Sequence, residues 1–296
     1  MNKQLQKARN FFKENLPDMS ISPQEVRVAA EKMYAKLPVA DDIIVQEIEI
    51  DGMKAEWTIS PGVKEERVLL YLHGGGFIFG SPATHRGEVS EIGRAAKART
   101  LTIDYRLAPE HPFPAPIEDA VKAYVWLLDQ GTKPENITVA GESAGGNMTA
   151  TLMISLRDSG IPLPAAAVLI SPWIDMGQSG ESYISKEGID PINTKESCKY
   201  LATTYLNGVD PKAPYASPIY APLHGLSPMY IMVGEAEVML TEALTFANKA
   251  AYEGANVRLE VWPQMIHNWP LWHSFLPEGK EAIKKAGAFM DEYLSK

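Results

Sequence analysis

The sequence predicts an α/β fold: a mainly parallel sheet with helices on both faces. Two observations carry that prediction. From residue 68 onward, short apolar runs alternate with stretches whose apolar residues recur at helical spacing; this is the pattern of strand–helix–strand units. The runs Val68-Leu69-Leu70-Tyr71-Leu72, Ala166 to Ile170 and Met229 to Val233 are apolar at every position, as strands buried on both faces must be.

In chain order, residues 3–15 and 22–36 read as two helices separated by Pro17 and Ser22-Pro23, with Pro38 ending the second. Neither belongs to the alternation, so residues 1–38 are expected to form an arm or part of a cap. Residues 43–50 and 53–59 alternate apolar and polar side chains around Asp51-Gly52, the signal of a hairpin that opens the sheet antiparallel. The strand 68–72 runs into His73-Gly74-Gly75-Gly76-Phe77. A helix over 84–98 leads to a strand over 100–104, then to a proline-rich connection over 104–114. Ile117, Ala120, Val121, Tyr124, Val125 and Leu128 mark one face of the next helix.

A strand over 137–140 and a helix from Ala144 to Leu156 follow, then the strand 166–170. Residues 172–212 break the alternation with a long connection that holds a helix from Thr194 to Leu206. An excursion of that length is usually functional, and a lid fits it. The sheet resumes at 229–233. Leu240 to Ala251 form a helix stopped by Gly254, residues 257–262 the last strand, and Ile283, Ala286, Met290 and Leu294 the closing helix. The predicted organisation is one structural unit: arm 1–38, core 39–171 and 213–296, and an inserted cap segment 172–212.

Bulk properties narrow the partners. The chain has 296 residues and a net charge of -9, which disfavours nucleic acid and anionic membrane surfaces, both of which select positive charge. The single Cys198 excludes an internal disulfide and fits a reducing compartment. The basic N-terminal stretch lacks a continuous apolar core, so it is expected to be an amphipathic helix and not a signal peptide. No run of about 18 apolar residues is present to span a membrane. A cytoplasmic location is the expectation.

The chemistry concentrates at Gly141-Glu142-Ser143-Ala144-Gly145. A Gly-x-Ser-x-Gly pattern alone also occurs by chance in loops. Between a strand and a helix it describes a sharp turn with serine at its apex, where side chains two residues to either side would collide with neighbouring elements. The helix that follows points its free N–H groups and positive dipole end at charge formed there. The three glycines after His73 free backbone N–H groups to converge on a ligand oxygen. A phosphate-cradling loop is the competing reading, but neither Gly-x-x-x-x-Gly-Lys-Ser/Thr nor Gly-x-Gly-x-x-Gly is present, Phe79 standing where the latter needs glycine.

Serine needs a positioned base, and the base an orienting carboxylate. On this kind of scaffold the chain order is serine, acid, histidine. Only His224, His267 and His273 follow Ser143. His267 lies just past the last strand, on the edge where the serine turn emerges; His224 precedes the acid candidates, and His273 fits an ordinary surface or packing role. The acid is expected on the loop after strand 229–233, where Glu235, Glu237 and Glu242 compete. Glu235 lies close to the strand end, Glu242 fits a solvated or dipole-facing charge at a helix start, and Glu237 sits between.

His73-Gly74-Gly75-Gly76, Asp104-Tyr105-Arg106-Leu107-Ala108-Pro109-Glu110, Gly141 to Gly146 and Met265-Ile266-His267 together resemble the bacterial hormone-sensitive-lipase family of esterases, over about residues 65–295. The resemblance implies an α/β-hydrolase fold with an eight-stranded sheet, a helical cap, no cofactor and no metal. It implies Ser143, Glu237 and His267 as catalytic residues and the N–H groups of Gly75, Gly76 and Ala144 as an oxyanion hole. His73 would then hold the glycine loop in shape, and Glu142, where many members carry aspartate, would anchor the turn.

One departure bears on the acid: Glu237-Val238-Met239 stands where the family commonly has aspartate followed by Pro-Leu. The implied activity is hydrolysis of short- to medium-chain acyl esters through an acyl-enzyme. Trp173, Tyr183 and Met239 are pocket candidates, although cap packing would account for them equally. An amidase or peptidase could use the same triad. A binding protein on the same scaffold is the third reading, as in plant gibberellin receptors, which resemble the family but lack the histidine present here as His267. A homodimer through the edge of the last strand would be similar to other members, and no residue compels it.

Overall fold

A computed structural model describes residues 2–19 and 21–294. The chain opens with α1 (Lys3–Asn15) and α2 (Pro23–Tyr34). Ser22 starts α2 with a reciprocal capping box to Glu25, and Pro23 occupies the first turn, where its missing N–H costs nothing. The hairpin β1 (Ile44–Ile50) and β2 (Met53–Ile59) follows, then β3 (Lys64–Leu72), α3 (Pro82–Ala96), β4 (Ala98–Ile103), α4 (Ala115–Asp129), β5 (Ile137–Glu142), α5 (Ala144–Asp158) and β6 (Ala166–Ile170). The segment after β6 carries α6 (Ser182–Ser185) and α7 (Lys195–Leu206); β7 (Met229–Gly234), α8 (Leu240–Tyr252), β8 (Val257–Trp262) and α9 (Pro277–Tyr293) complete the chain. The elements agree with the sequence reading to within a few residues. The largest shifts are α9, which begins at Pro277, ahead of its first marked residue Ile283, and β3, which begins earlier, at Lys64.

The eight strands form one sheet in the order β1-β2-β4-β3-β5-β6-β7-β8. The pairs β1–β2 and β2–β4 are antiparallel, and every pair from β4 to β8 is parallel. Alternation along a strand sends neighbours to opposite faces. Val68, Leu70 and Leu72 accordingly pack with Ile117, Tyr124, Met148 and Leu152 of α4 and α5. Leu69 and Tyr71 join Val89, Ile92, Ile283 and Met290 of α3 and α9. Continuous apolar strands are thus the result of packing on both faces of the sheet and not on one.

Because β3, β5, β6, β7 and β8 are parallel, the segments after them all emerge at one sheet edge. That edge is where open α/β sheets bind ligands. Over it lie α1, whose Phe12 packs edge-on to Trp272 at 5.0 Å, and α7, whose Tyr205 stacks on Phe77 at 3.7 Å. Arg27 docks α2 by donating to the carbonyls of Ile78 and Ala108 and pairing with Glu110. Among the described residues no helix is long and apolar enough to cross a membrane.

Candidate active site

Ser143 closes β5 and begins the turn into α5. Its backbone is at φ 56°, ψ -119°, a region that non-glycine residues occupy only under constraint. The constraint is visible. Ser143 N–H donates to Ile170 O at 3.0 Å, and its carbonyl accepts from Asn147 and Trp173. On the far side of the turn a Cβ at Gly145 would lie 1.8 Å from Leu72 O, so only glycine lets α5 press against β3. The turn aims the serine side chain into a pocket it shares with His267. Among the described residues no hydrogen bond engages the Ser143 hydroxyl, and such contacts are often long before substrate binds.

His267 lies on the loop after β8, and its Nδ1 is 2.9 Å from Glu237 Oε2. Glu237 is fully buried. Its other oxygen accepts from Ser171 Oγ at 2.7 Å and from the Gly234 N–H. Ser171 Oγ in turn accepts from Asn268 N at 3.0 Å, which ties the loops after β6, β7 and β8 together. A carboxylate can only accept, so His267 Nδ1 carries the proton and Nε2 keeps its lone pair toward the pocket. Burial disfavours the imidazolium, but the hydrogen bond and charge of Glu237, with Asp190 and Glu142 behind it, more than offset this and raise the His267 pKa.

The glycine loop after β3 forms the opposite wall. Gly75 and Gly76 have φ of 109° and 60°, and among the described residues no protein acceptor takes their N–H groups. Ala144 is the first residue of α5, whose N–H has no partner inside the helix. Gly75 and Gly76 line the pocket that holds Ser143, and Ala144 directly follows Ser143 in the chain. His73 is fully buried, with Nδ1 2.8 Å from Gly74 O, and Tyr105 of the 104–110 motif donates to His73 O at 2.7 Å. Burial and neighbouring His85 push its pKa down to about 3, so it stays neutral. Glu142 accepts from Gly74 N and from Tyr71 OH, and lies 2.9 Å from His85 Nε2. One carboxylate thereby joins the serine turn to the glycine loop.

The pocket has a volume of about 70 Å³ and is roofed by Phe12, Met33 and Tyr34 of α1 and α2 and by Ile192, Asn193 and Leu201 of the inserted segment. Trp173 and Met239 line it as well. Tyr183 does not: it is fully buried beside Glu242 and Cys198, so its candidacy as a pocket residue is corrected to one of cap packing. The reading of Glu242 as a solvated or dipole-facing charge is corrected in part: it stands in the first turn of α8, but the side chain is 1% exposed and Oε1 accepts from Ile174 N at 2.6 Å and Asp175 N at 3.4 Å. Those donors come from a segment nearly seventy residues away, which local pattern cannot reveal. Burial, with Asp175 nearby, pushes its pKa well up.

Glu235 is exposed and pairs with Lys186 at 2.7 Å. His224 is exposed, and neither it nor His273 lines the serine pocket. Ser171, His85 and Asn268 were not singled out from sequence. Ser171 was within reach, because it directly follows a buried parallel strand whose end must lie at the ligand-binding edge. Among the described residues no group of three or more His, Cys, Asp or Glu side chains is arranged to hold a metal ion.

A profile of the α/β hydrolase fold family matches residues 69–271. An acetyl-hydrolase of Streptomyces hygroscopicus is 45% identical over 236 residues, which is 80% of this chain and 79% of the relative. A solved esterase of the bacterial hormone-sensitive lipase family superposes with a TM-score of 0.97 at 42% identity, covering 100% of this chain and 99% of the other. EstE5, solved after soaking with p-nitrophenyl butyrate, gives a TM-score of 0.94 at 43% identity over 99% of both chains.

Proposed function

As the chain belongs to the α/β hydrolase fold family, among the bacterial hormone-sensitive-lipase esterases, and is a serine carboxylesterase, we propose that Ser143, His267 and Glu237 are its catalytic triad. The observation that carries this reading is the buried Glu237–His267 pair opening onto the same pocket as a serine held at φ 56°. In the proposed reaction His267 Nε2 removes the Ser143 proton as Oγ attacks the ester carbonyl. Gly75, Gly76 and Ala144 N–H groups receive the oxyanion, each donor contributing roughly 3–4 kcal/mol in comparable sites. The imidazolium then protonates the leaving alcohol, and water clears the acyl-enzyme by the same steps in reverse roles. Trp173 and Met239 would contact substrate, and His73 and Glu142 would hold the donor loop.

The acyl specificity follows from space. A cavity of about 70 Å³ compares with roughly 10–15 Å³ of such space for one water, so short acyl groups fit without displacing the roof. Longer chains require the arm and the inserted segment to move, which makes these two segments the cap in our reading. We expect kcat/KM on p-nitrophenyl esters to peak between acetyl and hexanoyl and to fall steeply by palmitoyl. A maximum at palmitoyl would contradict this sizing of the pocket.

The pH dependence has a definite sign. His267 must be neutral to act as base, and its pKa is raised above the ordinary value of about 6.5. The acid limb of kcat/KM should therefore fall above pH 6.5, with activity lost as pH drops through it. A profile flat down to pH 5 would remove His267 from the role of base.

A further inference from the structure

The loop that carries Glu237 is held from outside the core. Leu240 N donates to Glu237 O at 3.3 Å, and Met239 has φ -84°, ψ 2°, the values of the third residue of a type I turn. Val238 is therefore the second residue of that turn, where proline is favoured because its ring pre-sets φ. Proline would lack an N–H. Here the N–H is used: Val238 donates to Asp190 Oδ2 at 3.1 Å.

Asp190 lies in the inserted segment and is 5% exposed. Its other oxygen accepts from Ile192 N at 2.9 Å and Asn193 N at 3.1 Å. Ile192 and Asn193 both roof the catalytic pocket. One carboxylate thus shapes the roof turn and grips the acid loop. Two further contacts brace the arrangement. Ser182 donates to Val238 O and accepts from Thr241 N, and Arg9 of α1 donates to Ile189 O at 2.8 Å.

We propose that Asp190 is a positioning residue that latches the pocket roof to the Glu237 loop, so that roof and triad acid are set in register by a single side chain. The proposal rests on Glu237 being the triad acid. Asp190 touches neither Ser143 nor His267 by hydrogen bond among the described residues; besides the charge it adds behind His267, it acts through the Val238 N–H. Movement of the inserted segment would then be felt at the acid, which links admission of substrate to assembly of the triad.

The test is a double-mutant cycle on kcat and KM for p-nitrophenyl acetate with Asp190→Ala, Val238→Pro and the double variant, each checked for a native unfolding transition. Proline suits the turn and keeps an apolar side chain close to valine in size at this buried position, so Val238→Pro should fold, and it removes the donor. We expect it to lower kcat roughly tenfold with KM unchanged. Asp190→Ala should lower kcat roughly 10²-fold and also raise KM, because the roof turn loses its acceptor. The double variant should be no worse than Asp190→Ala alone.

Single effects that multiply in the double variant would overturn the latch, as would a Val238→Pro enzyme with wild-type kcat. If Asp190→Ala does not fold, Val238→Pro decides alone, through its kcat with KM unchanged. Failure of the triad reading is a separate result, seen as turnover that survives Glu237→Gln. An enzyme that depends on Glu237 but is indifferent to Val238→Pro loses only the latch.

Discussion

Ser143→Ala is expected to lower kcat roughly 10⁵- to 10⁶-fold, by the precedent of serine hydrolases stripped of their nucleophile, while the unfolding temperature stays within a degree or two of wild type. Both halves follow from the geometry. The hydroxyl has no hydrogen-bond partner among the described residues, so its removal orphans no buried group. The turn itself is held by Ser143 N–H to Ile170 O and by Ser143 O accepting from Asn147 and Trp173, all backbone groups that alanine retains. Alanine at φ 56° carries the same Cβ strain as serine. Activity near wild type would move the nucleophile elsewhere. A collapse in stability would show that the Ser143 side chain helps hold the turn.

Glu237→Gln carries the second large effect, a fall in kcat of about 10⁴-fold, the size seen when a triad acid becomes its amide. The orientation of the amide is decided by its surroundings. Gly234 N–H and Ser171 Oγ–H both point at Oε1, so the amide oxygen must stay there and its NH2 must face His267 Nδ1. An amine donor at that position selects the imidazole tautomer protonated on Nε2, which presents a hydrogen to Ser143 where a lone pair is required. Glu242→Gln is the matched control. Glu242 is as deeply buried, but its Oε1 serves Ile174 and Asp175 N–H groups, donors that an amide oxygen also satisfies. Its kcat should change by no more than about threefold. The opposite ranking of the two variants would show that the acid has been assigned to the wrong carboxylate.

What the sequence disclosed of this site depended on how local the determinants were. Ser143 was legible because its strain demands glycines two residues away on each side and a strand and helix adjoining, all within a dozen residues. The donor loop was legible for the same reason, in three consecutive glycines. His267 needed one longer-range argument, the chain order that parallel topology imposes. Glu237 was only partly legible, because burial separates it from Glu235 alone, while Glu242 is equally buried and differs only in the donors it meets at Ile174 and Asp175, within residues 171–190. Ser171, Asp175, Asp190 and Tyr183 all lie in or beside that stretch, where no periodic pattern indicates which side chains turn inward. Misplacing Tyr183 and Glu242 has this single cause. The strand order was not written in the local pattern either: the placement of β4 between β2 and β3 follows from crossover handedness and from which faces remain to be covered.

The most direct test of the triad assignment is mass spectrometry of the intact protein, followed by peptide mapping, after reaction with a p-nitrophenyl alkylphosphonate. Attack by an activated serine on phosphorus expels p-nitrophenolate and leaves a stable phosphonyl ester. We predict one adduct per chain, located on Ser143, formed in step with loss of esterase activity, absent in Ser143→Ala and strongly slowed in Glu237→Gln. Inactivation with the adduct on any other residue, or labelling of Ser143 at the same rate in Glu237→Gln, would contradict it.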